Sequence, residues 1–420
     1  MENWNFSPPP PSNLGDHDVP LLGNHLKNKK IALLITGGIA AFKTPLIARS
    51  LRREGANVVA FVSEKATRYV TLDALEWSTN NPVITQLTSA AEHLSDRTPF
   101  DAYLVAPATY NTINKLRYGI ADGVITSTLA SALGRMEQGT TKIMIVPTMH
   151  GSLHNSILTE SLTFLDSLGV KIMPPRQDYG KNNIPDERNI TVELCRLISN
   201  SPLKTIPILV TAGPTPVPID NIRRLTNRFT GRLGAMIAEE LYLKGADVTL
   251  IQGESSYHPP DYLPYQLAKT YQDYFKLVMD NLSQKSYQFG IFSAAVADYQ
   301  PETILPGKTR SGGALQSIKL IPTLKIIEEV KNKFPSLYMV TFKYQEQVSH
   351  EELMNIAHKR INQGYPVVVA NRGEEMEEKQ DHIAYLVTAN KSPKKMIGKQ
   401  EIAQEIVRHC EVISNPTDEI

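Results

Sequence analysis

His93, Asn227, Asp298 and Lys308 are the side chains here whose type and surroundings suit them to chemistry. An imidazole titrates near neutral pH and can take or give a proton there. A lysine set among a carboxylate and an amide can hold an anion in one orientation. Two glycine-bearing turns, Thr36-Gly-Gly-Ile-Ala40 and Thr211-Ala-Gly-Pro-Thr215, each separate an apolar run from a helical stretch. Glycine lets the backbone approach a ligand, and the first N–H groups of a helix attract phosphate. Each turn alone could equally be an ordinary strand-to-helix connection, and a lone histidine or lysine is ordinarily structural or solvated. With Asn227-Arg-Phe-Thr-Gly231 and Ala294-Ala-Val-Ala-Asp-Tyr299 between and beyond them, they point to two nucleotide-using sites in one chain.

Those residues need a frame. Apolar runs at Ile31–Ile35, Asn57–Val62, Ala102–Ala106 and Lys142–Val146 read as strands, with helical stretches at Phe42–Arg53 and Thr109–Leu116. A second series begins at Ile206–Thr211 and continues through helix Gly234–Lys244 and strand Asp247–Gln252. Further strands are expected at Gln288–Ser293, Leu337–Phe342 and Pro366–Ala370, and a last helix at Ala403–Glu411. Alternation of this kind predicts an α/β chain of two doubly wound, Rossmann-like domains with mainly parallel sheets. Ligands then belong at the carboxyl ends of the strands, where Val62-Ser-Glu-Lys65 and Ala106-Pro-Ala-Thr109 lie.

The 420 residues suffice for two or three cores, and 44 basic against 43 acidic side chains point to neither nucleic acid nor an anionic membrane. Cys195 and Cys410 are too far apart to suggest a disulfide framework, and no apolar run of about 18 residues occurs, so a cytoplasmic setting is expected. Ser7-Pro-Pro-Pro-Pro-Ser12 marks residues 1–28 as a disordered tail that packs little, and Ser199-Asn-Ser-Pro-Leu-Lys204 marks 199–205 as a linker. Residues 29–198 and 206–420 are the two expected domains. Neither turn has the GxGxxG spacing, which argues against an NAD(P)-dependent dehydrogenase.

With these motifs in this order, residues 29–190 resemble the flavin-dependent cysteine decarboxylases, a homo-oligomeric, FMN-binding family. The resemblance implies that Gly38, Ile39, Ala40, Ser63, Ala106, Ala108 and Thr109 contact FMN, and that His93 is the catalytic histidine. Two substrate positions depart from the pattern. His150 stands where Pro-x-Met-Asn has its carboxylate-binding asparagine, and Tyr179 where the clamp Ala-Cys-Gly has its proton-donating thiol. A phenol, with an ordinary pKa of about 10 against about 8.5 for a thiol, is a weaker acid. Gly123 likewise replaces the asparagine of Ala-Asp-Asn. This half is therefore a divergent decarboxylase, and a reaction halted at the enethiol stays open beside the complete one.

From Ile206 to Asn390 the chain resembles phosphopantothenate–cysteine ligase, and the two halves in this order resemble the bacterial bifunctional enzyme family of coenzyme A biosynthesis. The resemblance implies CTP with Mg2+, an acyl-cytidylate held by Asn227 with Arg223 assisting, and Lys308 at the reacting phosphates. Phe292, Ser293, Ala294, Asp298, Leu324, Lys325, Ile326, Ile327, Phe342 and Lys359 would meet the nucleotide. Lys308-Thr-Arg310 replaces Lys-Ile-Lys, Leu324-Lys-Ile-Ile327 replaces Pro-Asp-Ile-Val, and Gln363 replaces a second lysine, so CTP and ATP both remain open. The resemblance also implies trimeric flavin domains and dimeric ligase domains, together a dodecamer. A paralogue acting on another cysteine-containing substrate, or a flavin-bearing scaffold, are the alternatives.

Overall fold

The computed structural model describes residues 6–8, 10–94, 98–178, 180–308, 317–375 and 382–415. It divides into two compact units, residues 1–199 and 200–420.

The first unit is built on β1 (Lys30–Ile35), β2 (Asn57–Val62), β3 (Ala102–Ala108), β4 (Lys142–Pro147) and β5 (Lys171–Ile172), in the order β2-β1-β3-β4-β5. Every pair is parallel. Ile31 to Ile35 are fully buried, as a parallel strand covered on both faces requires. Its helices are α1 (Thr44–Arg53), α2 (Leu72–Thr79), α3 (Tyr110–Arg117), α4 (Val124–Glu137), α5 (Ser156–Ser167) and α6 (Glu187–Ile198). Ala32, Leu34, Tyr103 and Val105 pack with Ile113, Ile125, Leu129 and Leu158 of three of them. Strand order reverses between β1 and β3, which opens a crevice at their carboxyl ends.

The segment expected to pack little is corrected from His17 onward. The His17 ring lies 6.4 Å from that of Trp77, Leu22 N donates to Arg53 O at 2.8 Å, and Leu26 is fully buried. A buried ion network fixes it: His25 Nδ1 is 2.7 Å from Glu54 Oε2, and Arg188 reaches Oε1 at 2.5 Å. Burial pushes the Glu54 carboxyl up, but the hydrogen bonds from His25 and Arg188 outweigh it and hold the group below its ordinary value. A depressed carboxylate pKa stabilises the fold above the unfolded value and loses that stabilisation as pH falls through the folded one. Glu54→Gln should therefore cost about 3 kcal/mol at neutral pH. Urea unfolding at pH 7 and pH 3.5 checks this, since the gap between variant and parent should shrink at the lower pH.

Among the described residues, the main sheet of the second unit has eight strands: β6 (Pro207–Ala212), β7 (Asp247–Gly253), β8 (Tyr265–Ala268), β9 (Phe289–Phe292), β10 (Tyr338–Gln345), β11 (Val367–Arg372), β12 (Ile383–Val387) and β13 (Lys394–Ile397). Their order is β8-β7-β6-β9-β10-β11-β12-β13. The first six are parallel, and β12 and β13 add an antiparallel edge that periodicity had not signalled. On one face α7 (Arg232–Leu243) and α11 (Gly398–Ser414) pack against Ile208, Val210 and Val340. On the other, α8 (Tyr271–Gln284) and α9 (Ile326–Lys333) cover Leu209, Ile251 and Met339, and α10 (His350–Asn362) covers Val368 and Ala370. Leu203, within the segment read as linker, is fully buried in this unit's core. Order reverses between β6 and β9, giving a second crevice. Among the described residues, no helix is long and apolar enough to cross a membrane.

Candidate functional site

In the first unit the ends of β2, β1 and β3 converge. Thr36 Oγ1 donates to Pro107 O at 2.7 Å and accepts from Thr109 N at 3.3 Å, tying the turn after β1 to the loop after β3. The Ala106–Pro107 bond in that loop is cis. A Cβ on Gly37 would lie 2.4 Å from Lys65 Cβ, and one on Gly38 would lie 3.2 Å from Thr109 Cγ2, so side chains there would fill the turn. The short helical turn Ile39–Lys43 starts at Gly38 with no side-chain cap. Ser63, at the end of β2, has a buried Oγ with no hydrogen-bond partner among the described residues. Gly38, Ile39, Ala40, Ser63, Ala106, Ala108 and Thr109 thus all belong to the strand ends that border this one crevice.

His93 is placed differently. Among the described residues, no hydrogen bond or ring contact joins it to the Ala106–Thr109 loop, and its Nδ1 is buried without a partner. Its neighbour Leu94 offers its carbonyl to the Arg135 guanidinium, in the last turn of α4, which leads away from the crevice to the start of β4. Asp101, just ahead of β3, is engaged by Lys29 Nζ at 3.0 Å and Lys30 N at 2.8 Å. His150 follows β4 on a two-residue strand, Met149–His150, against which the hairpin of Arg176–Asp178 and Lys181–Asn183 docks. Its Nδ1 lies 2.9 Å from Ser152 Oγ. A Cβ on Gly151 would sit 2.4 Å from Gly180 O, so Gly180 lies close against this turn. Tyr179 lies outside the described residues.

In the second unit the turn after β6 interlocks with three others. A Cβ on Gly231, whose φ is +82°, would lie 2.4 Å from Gly213 N. One on Gly253 would lie 1.9 Å from Pro214 O, and one on Gly234 2.3 Å from Ser293 Oγ. Ser293 Oγ donates to Thr211 O at 2.8 Å, and Ala295 N to Gly213 O at 2.9 Å, joining β6 to the segment after β9. Asn227 Nδ2 donates to Ala295 O at 2.8 Å, which carries the loop of residues 226–230 across the crevice mouth. Ser255 Oγ and Gln252 Nε2 hold that loop through Thr230 O at 2.8 and 3.1 Å. Asn227, Arg224, Arg228, Thr230, Pro214 and Ser255 border a cavity of about 300 Å³. That volume is at the small end for a ligand pocket.

Arg223 is not among the residues lining that cavity. It pairs with the buried carboxylate of Asp220 at 2.6 Å and braces the turn that meets Gly307, beside Lys308. Phe292 is buried at the end of β9, and Ala294 N approaches Thr211 Oγ1 at 3.4 Å. Lys325 is ion-paired with Asp298. Leu324 is exposed, Ile326 is buried, and Ile327 packs on the α8–α9 core. Phe342 is half-buried and accepts at its carbonyl from Arg360 at 2.9 Å. Lys359 is exposed in the last turn of α10, and Lys308 is exposed beside the undescribed stretch 309–316. Sequence reasoning missed Arg224, Arg228 and Ser255 on the cavity wall. It also missed Lys343, whose ammonium burial, together with nearby Arg360 and Lys325, holds below its ordinary pKa although Asp298 pulls the other way. A lone lysine closing the apolar run Met339–Phe342 was the available signal.

Residues 22–199 match the family described as Flavoprotein, and residues 203–413 match the DNA/pantothenate metabolism flavoprotein C-terminal domain. The coenzyme A biosynthesis bifunctional protein CoaBC of Thermococcus kodakarensis is 35% identical over 93% of this chain and 98% of its own. That of Methanocaldococcus jannaschii is 28% identical over 91% of this chain and 93% of its own. A solved DNA/pantothenate metabolism flavoprotein from Streptococcus pneumoniae shares 27% identity, with a TM-score of 0.44, over 50% of this chain and 99% of its own.

Proposed function

The chain belongs to the family of the coenzyme A biosynthesis bifunctional proteins, and on that premise we propose that its second unit joins 4′-phosphopantothenate to cysteine and its first decarboxylates the product. The observation that carries the reading is the pair of crevices, each at a reversal of strand order and each lined by glycines where a Cβ would collide.

In the ligase unit the carboxylate of 4′-phosphopantothenate attacks the α-phosphate of CTP, pyrophosphate leaves, and the cysteine amine then displaces CMP from the acyl-cytidylate. Activation is required because an amine does not displace oxide from a carboxylate. Asn227, tethered through Nδ2 to Ala295 O, keeps its side-chain oxygen and second N–H for the intermediate. Lys308 and Lys325 offset phosphate charge, and Mg2+ would enter on the triphosphate itself.

In the flavin unit the fit to FMN rests on Ser63 Oγ, buried and unpartnered, and on the glycine turn that leaves backbone room at a helix start. Bound there, FMN supplies a reversible two-electron acceptor. His93 holds or moves the proton of the substrate thiol, and His150 meets the substrate carboxylate. Among the described residues no hydrogen bond or ring contact joins His93 to the crevice of its own chain, so its use calls for a second copy of the chain. Ile39 and Tyr118, each 68% exposed, give apolar surface for that copy. A homo-oligomer of trimeric flavin units and dimeric ligase units, a dodecamer, meets this need. Cys195 and Cys410 are both buried, and we place the protein in a reducing, cytoplasmic setting.

Two measurements test the reading: the visible spectrum of the purified protein, and pyrophosphate release with phosphopantothenate, cysteine and CTP or ATP. A flavin spectrum without nucleotide-dependent release would leave only a flavin-bearing scaffold. Ser63→Ala should leave the thermal transition in place, since the hydroxyl has no partner to lose, yet weaken FMN retention about 10-fold. Flavin released during equilibrium dialysis measures it.

A further inference from the structure

We propose that Lys343 grips the polyphosphate of the activating nucleotide in the second unit, an assignment that rests on the ligase reading of that crevice. β10 alternates its side chains between the two faces of the sheet. Val340 and Phe342 pack on the α7–α11 side, and Met339 on the α8–α9 side. Lys343 therefore points with Met339 and Thr341 to the side where α9 and α10 lie, at the carboxyl end of its strand. Its register partner is Ala370, a small residue buried against α10.

Around that position the structure gathers cations. Lys325 directly precedes α9, and Arg360 of α10 reaches the carbonyl of Phe342 next to Lys343. Asp298 is the carboxylate opposite them, and Lys325 already occupies it. Glu328 lies near Arg360. Among the described residues, Lys343 itself makes no ion pair and no side-chain hydrogen bond. A half-buried ammonium near two other cations, with the neighbouring carboxylate of Asp298 already paired to Lys325, is unfavourable unless an anion completes the cluster. α9 adds to this, since it begins with no side-chain cap on its first N–H groups. Several cations around one carboxylate suit a ligand carrying several charges. A triphosphate brings them, and its outer phosphates gain charge as pyrophosphate departs, so cations there favour the attack.

The test uses the full-length protein and inorganic tripolyphosphate as the probe. In Lys343→Met, the tripolyphosphate Kd by calorimetry and the nucleotide KM should both rise about 10- to 100-fold, the range for losing one hydrogen bond to a charged group. The KM for phosphopantothenate and the flavin content should not change, and Lys343→Arg should recover most of the binding. Lys343→Gln, which keeps a donor but no charge, is measured beside it, with circular dichroism melts for all. Tripolyphosphate binding by folded Met or Gln variants equal to that of the parent overturns the assignment, as does a parent that does not bind tripolyphosphate. Lys343-dependent tripolyphosphate binding in a protein that releases no pyrophosphate with phosphopantothenate would sink the ligase reading instead and leave the polyphosphate site standing.

Discussion

Replacing Asn227 by alanine should slow amide formation about 10²- to 10³-fold, the scale for removing one preorganised donor from a site of developing charge. The side chain is exposed, and among the described residues its one hydrogen bond is to Ala295 O. Removing it leaves that carbonyl free to meet water, so the stability cost should stay within about 1 kcal/mol. Rate and fold should therefore separate: the thermal transition and the flavin spectrum persist while phosphopantothenoylcysteine stops appearing. Product formation followed by chromatography checks this, and a rate within a few-fold of the parent would remove Asn227 from the chemistry. Pyrophosphate release should be measured alongside, because it distinguishes a lost first step from a lost second step.

The second large effect is on the fold of the same site. Gly231→Ala should destabilise the second unit by about 5 kcal/mol, combining a left-handed backbone that an L side chain resists with overpacking against backbone. The added Cβ would meet Gly213 N at 2.4 Å and Gly213 Cα at 2.6 Å, atoms that cannot rotate away. Gly213 is itself pinned, since its carbonyl accepts from Ala295 N at 2.9 Å. Both turns must therefore separate, and the loop bearing Asn227 goes with them. Urea unfolding should show the loss in the transition of the second unit while FMN stays bound to the first. A variant with parental stability and ligation would mean that the two turns need not touch.

Much of this arrangement was legible in the residues. Strand Asn57–Val62 was bounded correctly because Gly55 stops the helix before it and the run is β-branched. Gly38, Ser63 and Ala106 could be placed at one end of the sheet because parallel strands bring their carboxyl-end loops together. Helix Val124–Glu137 was not, since its start is capped by Thr126 Oγ1 accepting from Gly123 N at 3.0 Å, a pairing with no conspicuous sequence sign. Packing that depends on distant partners was equally hidden. Glu54 meets His25 across 29 positions and Arg188 across 134, so the N-terminal segment read as a tail. At Arg223 and Arg224, adjacent in sequence and identical in chemistry, only the fold shows which lines the cavity and which braces Asp220. Lys343 escaped because a strand-end lysine ordinarily reaches solvent.

One reaction mixture bears most directly on the claim that two phosphate-handling crevices work in sequence on one chain. Purified protein is given 4′-phosphopantothenate, cysteine, CTP and Mg2+, and its products are followed by mass spectrometry. The account predicts phosphopantothenoylcysteine first, then 4′-phosphopantetheine lighter by one carbon dioxide. Absence of any cysteine conjugate, with FMN bound and CTP untouched, would contradict it.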